Sequence, residues 1–111
     1  MVFIESRPFT RRLAELAGDR AEDVMAQIQT DLLERPLRGR IVQALGGIRK
    51  ARASNPSRGK GKRGGFRYLY LYLERRSRIH LLFLLDKSEQ EDLSEDQRKT
   101  LRRMVTELIN L

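Results

Sequence analysis

The apolar positions of this chain change period several times, and each change marks an element. Val2 to Glu5 reads as a short strand, followed by Ser6 as a helix cap and Pro8 in a first helical turn. Phe9, Leu13 and Leu16 then recur at helical spacing until Gly18. Asp19 and Glu22 stand at capping-box distance before a second stripe, Ala21, Val24, Ile28 and Leu32, and Pro36 predicts an end near Glu34. A connector from Pro36 to Gly47 is expected to be anchored by Leu37, Ile41 and Leu45.

Beyond the connector the period falls to two. Ile48 to Ala53 predicts a strand and Asn55 to Gly65 a loop. Phe66 to Glu74 predicts a strong strand, with Tyr68, Tyr70 and Tyr72 on one face and Leu69, Leu71 and Leu73 on the other. Both faces are apolar, so this strand is expected at the centre of a sheet. A polar turn at Glu74 to Ser77 joins it to a second two-faced strand, Arg78 to Asp86, as an antiparallel hairpin. Ser94 and Gln97 form a capping box for a last helix lined by Leu101, Met104, Val105, Leu108 and Ile109. The order strand, two helices, three strands, helix predicts an α+β fold, a small, curved, mainly antiparallel sheet with helices packed on it. At 111 residues, residues 1–111 are expected to form one domain.

Charge changes this picture by its location. The formal net charge is +8. From Arg49 to Arg78 there are eleven Lys and Arg and one acid, whereas the rest of the chain has a slight acidic excess. A basic segment set among strands predicts a charged surface for a polyphosphate, most commonly nucleic acid. The absence of cysteine excludes disulfides, thiolate nucleophiles and cysteine-built zinc sites, and one histidine cannot build a histidine metal cluster. The N-terminus lacks the pattern of a signal peptide, and the longest apolar run, Leu81 to Leu85, is too short to span a bilayer. A cytoplasmic protein with no membrane association is expected.

Gly59-Lys60-Gly61-Lys62-Arg63-Gly64-Gly65 alternates glycine with cations. Glycine allows exposed amide groups and the cations neutralise phosphate, so Lys60, Lys62 and Arg63 are expected to contact phosphate. The spacing is not that of a Walker loop. Arg49, Lys50 and Arg52 precede this loop and Arg67 follows it, so strand pairing would bring Lys50 or Arg52 near Arg67. Like charges opposed on a sheet are destabilising, and an anion between them relieves the cost. The tyrosines are expected to pack beneath a helix rather than stack on bases, and His80 to be structural. The acidic run from Glu89 to Asp96 suits a helix N-terminus better than a magnesium site, so no metal and no cofactor are assigned.

Three blocks together resemble the HigB branch of the RelE toxin superfamily: Gly46-Gly47-Ile48-Arg49-Lys50-Ala51-Arg52, then Gly59 to Arg67, then Lys87-Ser88-Glu89 with Asp92-Leu93. The resemblance covers nearly the whole chain, including the opening Val2-Phe3-Ile4-Glu5 strand. It implies a small sheet with two N-terminal helices and one C-terminal helix. It also implies a toxin that enters the ribosomal A site, against ribosomal RNA, and cleaves messenger RNA without a metal. The ribose 2′-hydroxyl attacks the adjacent phosphate, leaving a 2′,3′-cyclic phosphate and a 5′-hydroxyl. The implied partner is a cognate helix-turn-helix antitoxin, through which alone operator DNA would be bound.

Carried onto this chain, the resemblance makes Lys50, Arg52, Arg67 and Lys87 catalytic, with Arg67 on the scissile phosphate. Arg49, Lys60, Lys62 and Arg63 are the RNA-binding set. Crowding among arginines makes Lys50 the preferred general base. The chain departs from the family at Leu85-Asp86, where an aromatic residue and glycine are usual, and at Ser88, where RelE has a further catalytic arginine. Asp86 beside Lys87 is expected to weaken that lysine's contact with phosphate. The alternative is a non-catalytic basic RNA- or ribosome-binding module. A DNA-binding reading lacks a basic recognition helix.

Overall fold

A computed structural model describes residues 1–56, 65–90 and 92–111. The elements are β1 (Val2–Glu5), α1 (Arg7–Ala17), α2 (Ala21–Glu34), β2 (Arg40–Ile41), β3 (Arg49–Ala53), β4 (Phe66–Leu73), β5 (Arg78–Asp86) and α3 (Glu95–Ile109). The five strands form one sheet in the order β1-β5-β4-β3-β2, parallel only between β1 and β5. The expected α+β class holds, and β4 is the central strand. Its alternation explains the layering. Tyr68 and Tyr70 pack under α1 and α2 with Phe9, Val24, Ile28 and Leu32, while Leu69 and Leu71 pack under α3 with Leu82, Leu85, Leu101 and Val105. Full burial of each such aliphatic side chain contributes about 1.5–3 kcal/mol.

Local chemistry fixes the entries to the helices. Ser6 Oγ accepts from the Phe9 N–H at 3.1 Å and donates to the Leu82 carbonyl at 2.8 Å. Leu82 is the extra residue of a bulge, because Leu69 pairs with Phe83 and Tyr70 with Leu81. The Ser6 hydroxyl thus satisfies a carbonyl beside an irregular ladder position. Ser94 and Gln97 make the expected reciprocal capping box.

Four expectations need correction. Asp19 and Glu22 do not cap α2: Gly18–Arg20 forms a 3-10 turn that runs directly into the helix, so no side chain is placed to cap it. The connector contains a short strand, β2, that apolar periodicity could not reveal in two residues. Leu37 and Ile41 are not anchors, being 59% and 57% exposed, because the chain there runs along the sheet edge; only Leu45 is buried. Ile109 is half exposed, so the apolar stripe of α3 ends at Leu108. Gly46 and Gly47 have φ of +78° and +109°, a conformation that suits glycine and turns the connector into β3.

His80 is 5% exposed on β5, paired with Ile4 of β1 and Leu71 of β4. Burial first, then Arg78 and Arg76, hold its imidazole below the ordinary value of 6.5. The unfolded chain therefore takes up a proton that the folded chain refuses. Stability is full above about pH 6.5 and falls as the pH drops toward the depressed value. Urea midpoints measured from about pH 7 to about pH 5.5 are expected to fall for the parent and less steeply for His80→Asn. Equal slopes would show that His80 is not the group responsible.

Candidate nucleic-acid interface

Strand parity decides which cations meet. Arg52 pairs directly with Arg67 across β3 and β4, and Lys50 pairs with Arg40 of β2 on one side and Leu69 of β4 on the other. Lys50, Arg52 and Arg67 therefore share the α3 face of the sheet. The apolar cluster under α3 is built on β4 and β5 residues, with Ile48 just before β3. The β2–β3 part of the same face borders an open cleft of about 860 Å³. Its lining includes Arg38, Arg40, Lys50, Arg52, Arg67 and Arg98, against a single carboxylate among the described residues, Asp92.

Two of these cations are already engaged: Arg38 pairs with Asp31 at 2.9 Å, and Arg98 donates to the Gln43 carbonyl at 2.7 Å. Arg40, Lys50 and Arg52 have no carboxylate partner among the described residues. Arg67 is the unusual member. It is 8% exposed, and its one hydrogen bond within the described residues runs from Nη1 to the adjacent Phe66 carbonyl at 3.3 Å. Burial, and then the charge on Arg52, pull its guanidinium below the usual arginine value. A guanidinium offers five donors, and burying it beside a second cation is costly without an anion.

The other predicted site residues are distributed differently. Arg49 lies on the opposite face, where Nη1 donates to the Gly39 carbonyl at 2.8 Å and the Leu37 carbonyl at 3.3 Å. Lys87 follows β5, exposed, with its backbone N–H 3.5 Å from the Gly65 carbonyl; it borders the start of β4 but does not line the cleft. Lys60, Lys62 and Arg63 lie outside the described residues. Asp86 is turned inward, its Oδ1 accepting from the Ser88 N–H at 2.9 Å and Oγ at 2.8 Å. Tyr68 and Tyr70 are fully buried, as core residues should be. Tyr70 Oη accepts from the Gly39 N–H at 2.9 Å and donates to the Pro36 carbonyl at 2.8 Å. Within the acidic run, Glu89 pairs with Arg12 and Glu95 with Arg102. Arg38, Arg40 and Arg98 were missed as site residues because they come from the connector and a helix start, outside the basic segment.

The arrangement is an open α+β sheet whose basic edge lies beside a C-terminal helix. No family model matches the chain. Among solved structures this is the fold of RelE toxins. The free Escherichia coli RelE toxin carrying two arginine-to-alanine substitutions aligns over 81% of this chain and 86% of its own, with a TM-score of 0.56 at 12% identity. The toxin–antitoxin complex RelBE2 from Mycobacterium tuberculosis supplies a second match, over 77% of this chain and 95% of that one, with a TM-score of 0.58 at 21% identity. The isolated E. coli RelE toxin aligns over 93% and 97%, with a TM-score of 0.55 at 12% identity.

Proposed function

We propose that this chain is the toxin of a toxin–antitoxin pair, a ribosome-dependent messenger-RNA endoribonuclease of the HigB-like branch of the RelE superfamily. The observation that carries the reading is the buried Arg67 directly opposite Arg52, on a RelE fold, in a cleft with far more cations than carboxylates. Such a site is electrostatically incomplete without an anion, and a phosphodiester supplies one.

In this reading Lys50 takes the proton from the ribose 2′-hydroxyl as it attacks the adjacent phosphorus. Negative charge gathers on the phosphorane oxygens. Arg67 and Arg52, fixed on paired strands, stabilise it without reorganising. The bond from phosphorus to the 5′-oxygen breaks, that oxygen takes a proton from water to become the 5′-hydroxyl, and the 2′,3′-cyclic phosphate remains. The arginines supply the charge stabilisation that a metal gives in other nucleases, so the reaction is metal-independent. The requirement for a 2′-hydroxyl selects RNA over DNA. Lys87, with Lys60, Lys62 and Arg63 of the adjoining basic segment, adds backbone affinity within the ribosomal A site. The protein acts in the cytoplasm, and a helix-turn-helix antitoxin neutralises it and carries the pair to operator DNA. Among the described residues, no helix is long and apolar enough to cross a membrane.

Expression of the chain alone is expected to arrest growth, and co-expression of the antitoxin gene beside it to restore growth. Purified protein is expected to cut ribosome-bound message in the presence of a metal chelator and to leave cyclic phosphate ends. Unchanged growth with abundant folded protein, together with intact message, would replace the nuclease by a non-catalytic binding module.

A further inference from the structure

The cleft contains two like-charged cross-strand pairs, not one. Arg52 faces Arg67, and Arg40 faces Lys50. Lys50 and Arg52 are two residues apart on β3, so the pairs sit about 6.6 Å apart along the strand, on the same face. That spacing can match successive phosphates of an extended single strand. With Arg38 held by Asp31 and Arg98 by a backbone carbonyl, the cleft cations left without a carboxylate or carbonyl beyond their own neighbour, among the described residues, are the members of these two pairs. Asp92, the acid of the lining, already has Oδ1 accepting from the Leu93 N–H.

We propose that the cleft binds two consecutive phosphates of single-stranded RNA, the reacting one at Arg52 and Arg67 with Lys50 as the base beside it, and a flanking one at Arg40, so that Arg40 is a substrate-positioning residue. This rests on the nuclease reading for which phosphate reacts, but the two-phosphate binding is separable from it. Arg40 is exposed on a two-residue edge strand and has no place in the core. Its alternative role, a solvated surface charge, predicts no preference for a second phosphate. Its position explains why the short edge strand matters: pairing Arg40 with Lys50 extends the basic face by one more strand.

The test uses the whole chain and 2′-O-methyl RNA trinucleotides, which cannot be cleaved. One carries two charged linkages, and two others each carry a neutral methylphosphonate at one linkage. The parent protein is expected to bind the doubly charged probe about tenfold more tightly than the better of the neutralised probes. Its salt slope should be steeper by about 0.7. Arg40→Ala is expected to erase that increment, Arg40→Lys to keep most of it, and both to retain the parent melting temperature and affinity for a single phosphate. An increment that survives in Arg40→Ala, or is missing from the parent, would overturn the second subsite. A parent that shows the increment yet cuts no message would keep the subsite and overturn only the nuclease reading.

Discussion

Replacing Arg67 by leucine is expected to raise the melting temperature and, in the same molecule, to slow cleavage by about a hundredfold or more. Arg67 is nearly inaccessible, faces Arg52 and, among the described residues, makes one long hydrogen bond to its neighbour's carbonyl. Buried donors without partners cost about 1–3 kcal/mol, and like charges set opposite each other add to that. Leucine beside Leu69 and Leu85 on the same face extends the apolar cluster under α3. A gain of 1 kcal/mol corresponds to about 4–8 °C in a domain of this order of size. Loss of the phosphorane contact is expected to slow single-turnover cleavage of ribosome-bound message by about a hundredfold or more. Arg67→Lys should recover part of the rate, because an ammonium cannot hold two phosphoryl oxygens in a planar fork. An ordinary structural arginine would behave the opposite way, losing stability and keeping activity. A leucine variant that melts lower and cleaves at the parent rate would move the chemistry to Lys50, Arg52 and Lys87.

The elements that carry this argument were legible because their patterns are long. Six residues of alternating tyrosine and leucine, Tyr68 to Leu73, define most of β4, and two apolar faces put it at the centre of the sheet. Lys50, Arg52 and Arg67 were legible as a set because they flank one loop on paired strands. Arg49 shows where reading by proximity in sequence failed. Strand parity alone puts it with Ala51 and Ala53, both in the core under α1 and α2, and away from Lys50 and Arg52. Arg40 was not legible, since a strand of two exposed residues has no period to detect. Arg98 enters from the first turns of α3, and its arrival beside the connector depends on tertiary packing that no local pattern records.

Gly65→Ala is expected to be the most destabilising single-methyl substitution near the site. Gly65 closes the glycine-rich motif and immediately precedes β4, where Phe66 pairs with Ala53 and Arg67 with Arg52. A Cβ at this position would overlap the Ala53 carbonyl oxygen and lie 2.8 Å from the Asn55 nitrogen and 3.1 Å from the Ser54 carbonyl carbon. These are backbone atoms, so no side chain can swing aside. They are also held from behind, because Gln27 of α2 accepts from the Ser54 N–H at 3.1 Å. Relief requires β3 and β4 to part at the end where both Ala53 and Phe66 are fully buried. Overpacking usually costs about 1–3 kcal/mol, and a backbone clash belongs at or above the top of that range. Gly18→Ala is the control: nothing lies within 4 Å of the added methyl, so only the backbone conformation, φ +54° with ψ −124°, is penalised, by about 1–3 kcal/mol. Thermal melts of the two variants should therefore separate, with Gly65→Ala lower. Its cleavage should also fall, because the same displacement breaks the opposition of Arg52 and Arg67. A Gly65→Ala protein that melts with the parent would mean that the two strand ends do not approach as closely as described, and would remove the physical reason for glycine at the end of the motif.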